Sequence, residues 1–192
     1  MKRLSIVVLL AAALAALAYG DPTISISTLP LSGTVGGVPG TVVGWGFTLT
    51  DTSPDQWVIL DDSSFTGAQV YGTYVDYLVE NFYVAGPGPE SSTLQVAWNP
   101  SLIPPQGLGE FDLNPTALPG ASITGNIVVD FQLFSQDPNN PSFDPGSLIS
   151  AGSVAVPVDI NVVPEPASIF LIGGAILPFA IAARRRRKGQ RA

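Results

Sequence analysis

Between Arg3 and Arg184 the polar side chains are carboxylates, amides, hydroxyls and indoles, with no Lys, Arg, His or Cys among them. All fifteen acidic residues of the chain lie in that interval. A Ser nucleophile there has no His or Lys beside it to take its proton. Imidazole–thiolate zinc sites cannot be assembled, and neither a phosphate-cradling Lys nor an Arg clamp is present. Paired acids remain, and a glycosidase or aspartic-protease mechanism needs only two at a set separation. The candidate pairs are Asp61 with Asp62, Asp76 with Glu80, and Glu110 with Asp112. No Asp-Thr-Gly or Asp-Ser-Gly signature accompanies them, and neighbouring acids are common on any solvated acidic surface. The expectation is a chain with no catalytic residues and no cofactor.

Calcium is the metal that such hard oxygen ligands could hold. The best loop is Asp137-Pro138-Asn139-Asn140-Pro141-Ser142-Phe143-Asp144, with Asp137, Asn139 and Asp144 as candidate ligands. It departs from the EF-hand pattern, with Pro141 at its fifth position and Ser142 where Gly is required. A proline-stiffened polar turn is the preferred reading, and no metal is expected. Trp45, Trp57 and Trp98, with Tyr71, Tyr74, Tyr77 and Tyr83, could instead form a sugar-stacking platform. Core packing competes with that role, most strongly for Trp45 beside Val43 and Phe47 and for Trp98 beside Leu94 and Val96.

The net charge of −7 is the sum of two basic ends and a strongly anionic middle. Such a middle repels phosphate backbones, which excludes nucleic acid as a partner. With no cysteine there is no disulfide framework, so the domain must hold together by its core.

The elements that position these residues read as strands. Val43, Trp45, Phe47 and Leu49 alternate with Gly44, Gly46, Thr48 and Thr50. A second row is Ile123, Ile127, Val129, Phe131 and Leu133, opposed by Thr124, Asn126, Asp130 and Gln132. A third is Val154, Val156, Val158, Ile160 and Val162. Pro157 interrupts it, which predicts an edge strand or a break. Weaker strands fit Ile24–Thr28, Gln56–Leu60, Tyr74–Val84 and Thr93–Trp98, although Val75, Leu78, Val79 and Phe82 would also line a short helix. Turn-rich stretches such as Asp51–Asp55 and Pro104–Gly107 separate them. The Pro-rich stretch Asn99–Ala121 is expected to cross between sheets. Together these predict an all-β antiparallel sandwich over residues 21–162, immunoglobulin-like or jelly-roll-like.

The two ends are of another kind. Met1-Lys2-Arg3, the apolar run Leu4–Leu17 and the small residues before Asp21 form a signal-peptide pattern over residues 1–20, implying signal peptidase and the export machinery as partners. An uncleaved anchor is the alternative. At the other end, residues 163–192 hold Val163-Pro164-Glu165-Pro166, then Ala167–Ala183 without a charge, then Arg184-Arg185-Arg186-Arg187-Lys188. The uncharged run would make about 25 Å of helix, enough for a thin hydrocarbon core. The basic cluster would stop it on the cytoplasmic side. A retained C-terminal anchor is the plain alternative.

That tail resembles a PEP-CTERM sorting signal: Pro-Glu-Pro, an apolar span and a terminal Arg run, in that order at the end of the chain. The resemblance covers about the last thirty residues. It implies that Pro164, Glu165 and Pro166 are the motif recognised by exosortase, a membrane-embedded protease that would remove the span. It further implies a Gram-negative source, passage through the inner membrane, and delivery to the cell surface or an extracellular polysaccharide matrix. Gly44-Trp45-Gly46-Phe47-Thr48-Leu49-Thr50 also resembles the start of β-rich ectodomains seen with such tails, a likeness that assigns no activity. The role so expected is structural or adhesive, with carbohydrate binding through exposed aromatics as the alternative and a carboxylate-pair glycoside hydrolase behind both.

Overall fold

Alternating side chains build two sheets that close over one apolar layer. The computed structural model describes residues 24–87 and 92–165. Its strands are β1 (Ile24–Leu29), β2 (Thr34–Gly37), β3 (Val42–Asp51), β4 (Trp57–Phe65), β5 (Gly72–Asp76), β6 (Val84–Ala85), β7 (Ser92–Val96), β8 (Gly109–Leu113), β9 (Ser122–Phe134) and β10 (Leu148–Val162). A single turn of 3₁₀ helix, Pro145–Ser147, precedes β10, and no α-helix occurs among the described residues.

One sheet has the order β1-β3-β8-β5, with β7 also paired to β3; the other runs β2-β10-β9-β4-β6. The length of β3 lets it serve two neighbours: Phe47–Asp51 pair with β7 and Val42–Trp45 with β8. The expected all-β sandwich is therefore present. The expectation of wholly antiparallel pairing needs one correction, because β2 runs parallel to β10, Thr34 opposite Asp159 and Gly37 opposite Val162. The chain leaves the first sheet after β1, turns at Pro30–Gly33 and lands on the second. The buried Trp45 indole pins that corner, donating from Nε1 to the Gly33 carbonyl at 2.8 Å.

The three alternating rows face each other across the core. Trp45, Phe47, Leu49 and Phe111 come from the first sheet, and Val58, Ile127, Val129 and Ile160 from the second, all fully buried. β10 passes through Pro157 unbroken, opposite Asn126. It is an edge there, because β2 covers its other side only from Asp159 onward.

Two expected elements change. Tyr74–Val84 is neither one strand nor a helix. β5 ends at Asp76, and a turn follows in which the Asn81 amide donates to the Leu78 carbonyl at 2.9 Å. Asp76 enforces that break by accepting from the Leu78 amide at 2.9 Å, as short acidic side chains do in turns. Asn99–Ala121 contains β8, which stays in the first sheet, so the crossing to the second is made only after Leu113.

Candidate functional site

β4 carries a β-bulge, and the bulge gathers the acids. Leu60 opposes Phe131 and Ser63 opposes Val129, so Asp61 and Asp62 together oppose Asp130. The extra residue re-phases the strand: Val58 and Leu60 point inward before it, Ser63 and Phe65 after it. Asp130 lies across the ladder from Asp62 and disfavours its ionised form. The Asp62 pKa is raised, first by partial burial, then by Asp130, and further by the charges of Asp76 and Asp61. Gln132 donates to Asp61 Oδ2 at 3.1 Å. The first candidate pair is thus assembled, with Asp130 as a third member.

Asp76 is occupied differently. Ser63 Oγ donates to its Oδ1, and the Leu78 and Val79 amides bond its two oxygens at 2.9 and 3.4 Å. Glu80 lies exposed in the turn beyond, so the Asp76–Glu80 pair is not held together by any of these contacts. Glu110 acts on Tyr77, and Asp112, two residues along the same strand, acts on it more weakly. Burial raises the Tyr77 pKa most, Glu110 raises it further, and the Trp98 indole acts in the opposite sense. Trp98 Nε1 and Glu110 Oε2 are both buried without a full hydrogen bond.

The expected place of Trp98 in the core with Leu94 and Val96 is corrected. A Cβ on Gly44 would come within 2.2 Å of Trp98 Nε1, and one on Gly46 within 2.4 Å of the Val96 carbonyl oxygen. Gly44 and Gly46 alternate with inward-facing Val43, Trp45 and Phe47, so the chain leaving β7 folds over the outer face of β3. The Gly-Trp-Gly pattern thus serves two layers: Trp45 fills the core, and the glycines admit Trp98 behind it.

The loop after β9 closes on itself. Asp137 Oδ1 accepts from the Asn139 amide at 2.9 Å, and Asp144 Oδ1 caps the 3₁₀ turn at the Gly146 amide, 2.8 Å away. Phe143 anchors the loop edge-on against Phe134, with centroids 5.1 Å apart. The candidate ligands Asp137, Asn139 and Asp144 therefore act as turn residues. Among the described residues no three His, Cys, Asp or Glu side chains gather as a metal site. A shallow cleft of about 300 Å³ lies beside this loop, lined by Gln136, Asp137, Asn140 and Ser142. A second, of about 260 Å³, is lined by Ala68, Val70, Tyr71, Ser122, Ile123 and Thr124. Neither cleft is lined by a member of the candidate acid pairs.

The aromatic residues are mostly inside. Trp45 and Tyr77 are buried, while Trp57, Trp98, Tyr71, Tyr74 and Tyr83 are half-buried. No described Trp or Tyr stands fully exposed as a stacking platform requires; Phe82, at 60% exposure, is a ring that does.

The start of the expected sorting motif meets the sandwich at a sharp boundary. The Val163 amide donates to the Gly37 carbonyl at 2.8 Å, and Pro164 and Glu165 follow at once, both exposed. Pro166, the apolar run, Arg184, Arg185, Arg186, Arg187 and Lys188 lie outside the described residues, as do residues 1–20, where a signal peptide is expected, and Asp21. No helix among the described residues is long and apolar enough to cross a membrane.

No protein-family model and no curated protein matches the chain. Among solved structures it is similar to CaCohA2 from Clostridium acetobutylicum, at 20% identity over 74% of this chain and 92% of that one, with a TM-score of 0.33. It is similar to the ASH/PapD-like domain of human CEP192, at 11% identity over 77% and 92%, with a TM-score of 0.32. The CooA pilin subunit from enterotoxigenic Escherichia coli gives 11% identity over 74% and 100%, with a TM-score of 0.31. At scores this low, these likenesses decide nothing about the site.

Proposed function

We propose that this chain is an exported, non-enzymatic β-sandwich protein of the cell surface or extracellular polysaccharide matrix, delivered and trimmed through a PEP-CTERM tail. The observation that carries the reading is the boundary at Val163. Among the described residues the last backbone bond of the sandwich is made there, and Pro164 and Glu165 follow immediately, both exposed. A protease reading Pro-Glu-Pro and cutting downstream would leave the folded domain whole. The absence of any Lys, Arg, His or Cys from Leu4 to Ala183 supports a non-catalytic role, and so does the engagement of Asp76 in turn formation. Binding of polysaccharide by stacked aromatics finds less support, because the tryptophans and tyrosines are at least half-buried.

Intact-mass measurement of the surface-exposed protein, from cells with and without exosortase, tests this reading. The expected result is loss of the C-terminal segment only where exosortase is present, and its retention when Glu165 is replaced by Ala. Surface protein still ending at Ala192 in exosortase-positive cells would leave a plain membrane anchor in its place.

A further inference from the structure

Asp51 ends the inward row of β3, after Val43, Trp45, Phe47 and Leu49. Among the described residues it is the one acid that is fully buried, at 0% exposure. Its Oδ1 accepts from the Ser53 amide at 2.8 Å. Oδ2 is buried as well and has no hydrogen-bond partner. A buried carboxylate oxygen without a donor is costly, and the strongest remedy is a donor that carries positive charge. No side chain of the domain can supply one, because Leu4 to Ala183 holds no Lys, Arg or His. The surroundings do not suit a metal ion either. No three His, Cys, Asp or Glu side chains gather among the described residues, and Asp55, the next acid along, is exposed.

The register of β1 brings a different cation within reach. Ile24 stands directly opposite Asp51, and both side chains are buried on the inward face. Opposed residues on one face of an antiparallel pair hold their Cβ atoms about 5 Å apart. Removal of residues 1–20 would turn the amide nitrogen of Asp21 into an α-ammonium, three residues before Ile24. Three residues span at most about 10 Å of chain, so the new terminus is confined to the neighbourhood of Asp51. Asp21-Pro22 is a turn-forming pair, which suits a terminus that doubles back. With the tail removed too, that ammonium is the only positive charge left in the chain. Resting on the export reading proposed above, we infer that the α-ammonium of Asp21 pairs with Asp51 Oδ2. Cleavage of the signal peptide then completes this end of the sandwich, and the precursor folds less stably than the processed domain.

The amine itself is the handle. Without residues 1–20, Lys188 is the only other amine of the chain, and it leaves with the tail. Acetic anhydride near neutral pH therefore neutralises the terminus selectively. Acetylating the exported, processed chain is expected to raise its unfolding constant roughly tenfold to a hundredfold, the range for losing a hydrogen bond to a charged group. In Asp51→Asn the same treatment should change it little. Asp55→Asn, at the exposed acid of the same loop, should leave the acetylation effect intact. In the unprocessed chain Asp51 has no ammonium to meet, and Asp51→Asn should not weaken the fold. The labelling rate supplies a second readout: the terminus should react several-fold faster in Asp51→Asn than in the parent. No effect of acetylation on the parent, an equal effect in Asp51→Asn, or equal labelling rates overturns the inference. Intact mass separates this failure from that of the export reading. A first residue other than Asp21 tells against the expected cut and takes the pair with it, whereas Asp21 at the start without coupling to Asp51 overturns the pair alone.

Discussion

Ser63 from one sheet and Tyr74 from the other meet hydroxyl to hydroxyl at 2.8 Å inside the sandwich. The bulge at Asp61–Asp62 turns Ser63 inward, and there it also donates to Asp76 and lies 3.0 Å from the Leu108 carbonyl. Tyr74 Oη is 3.2 Å from the same carbonyl. Burial, the largest influence, raises the Tyr74 pKa, so the phenol stays protonated and can donate. Replacing Ser63 by Ala removes the shared partner of Tyr74 and Asp76 and is expected to cost about 1–3 kcal/mol, the usual range for stranding a buried polar group. Tyr74→Phe leaves the Ser63–Asp76 bond in place and should cost less, about 1 kcal/mol. Urea unfolding midpoints check the order, and a Tyr74→Phe chain weaker than Ser63→Ala would refute this account of the link.

The contact of Gly44 with Trp98 gives a prediction that two substitutions separate. Alanine at Gly44 puts a methyl into the indole, so Gly44→Ala should destabilise the domain by about 1–3 kcal/mol and red-shift the tryptophan emission as Trp98 is pushed toward water. In a Trp98→Ala background the same methyl escapes that clash and should cost less. The double-mutant cycle reads this coupling directly. Additive costs would mean that something other than Trp98 limits position 44.

Much of the fold was legible because three strands alternate without interruption. β3, β9 and β10 bury their apolar rows as the sequence implies. β2 and β8 were not legible, for want of pattern: Thr34–Gly37 has one large apolar residue, and Gly109–Leu113 has two in Pro-rich surroundings. The bulge hid the acid site. It adds one residue to β4, so alternation through Leu60 fails to reach Ser63 and Phe65, and the strand appears to end five residues early. Asp61 beside Asp62 was visible in the sequence, but Asp130 lies 68 positions further on and only the register brings it opposite. Trp98 was misassigned because the chain leaves the β7 ladder after Val96 and crosses to the other face.

Trypsin offers an inexpensive check on the ends of the chain. From Leu4 to Ala183 there is no Lys or Arg, so trypsin should leave residues 4–184 as one fragment even in denaturant. Chain that keeps its tail should also release short basic peptides from Arg185–Arg191, whereas chain trimmed at both ends should pass through digestion unchanged in mass. A glutamyl-specific protease supplies the positive control. Internal tryptic cleavage would contradict the sequence itself, and basic peptides from surface-exposed protein would count against trimming.

The acids predict an unusual pH dependence. Asp51 is fully buried. Its Oδ1 accepts from the Ser53 amide at 2.8 Å, while Oδ2 has no partner. Burial raises its pKa above 3.8, against the lowering effect of the Ser53 bond. Asp62 is raised above 3.8 as well, by partial burial first and by Asp130 next. A raised carboxyl pKa means that the folded state binds the proton more tightly than the unfolded one. The stabilisation is fully present below the unfolded value and is lost as pH rises through the folded one. Repulsion within a domain that has no cation acts in the same direction. Stability should therefore increase as pH falls from neutral toward the ordinary carboxylate value of 3.8, the reverse of acid denaturation driven by salt-bridged carboxylates. Asp62→Asn should flatten the dependence and raise stability at neutral pH, since the amide can donate to Asp130 without a proton. Asp51→Asn should act likewise, because the amide oxygen can keep the Ser53 bond. Urea unfolding across that interval measures both, and a domain that weakens steadily on acidification, in the parent chain and in the variants alike, would show that neither acid holds its proton for the fold.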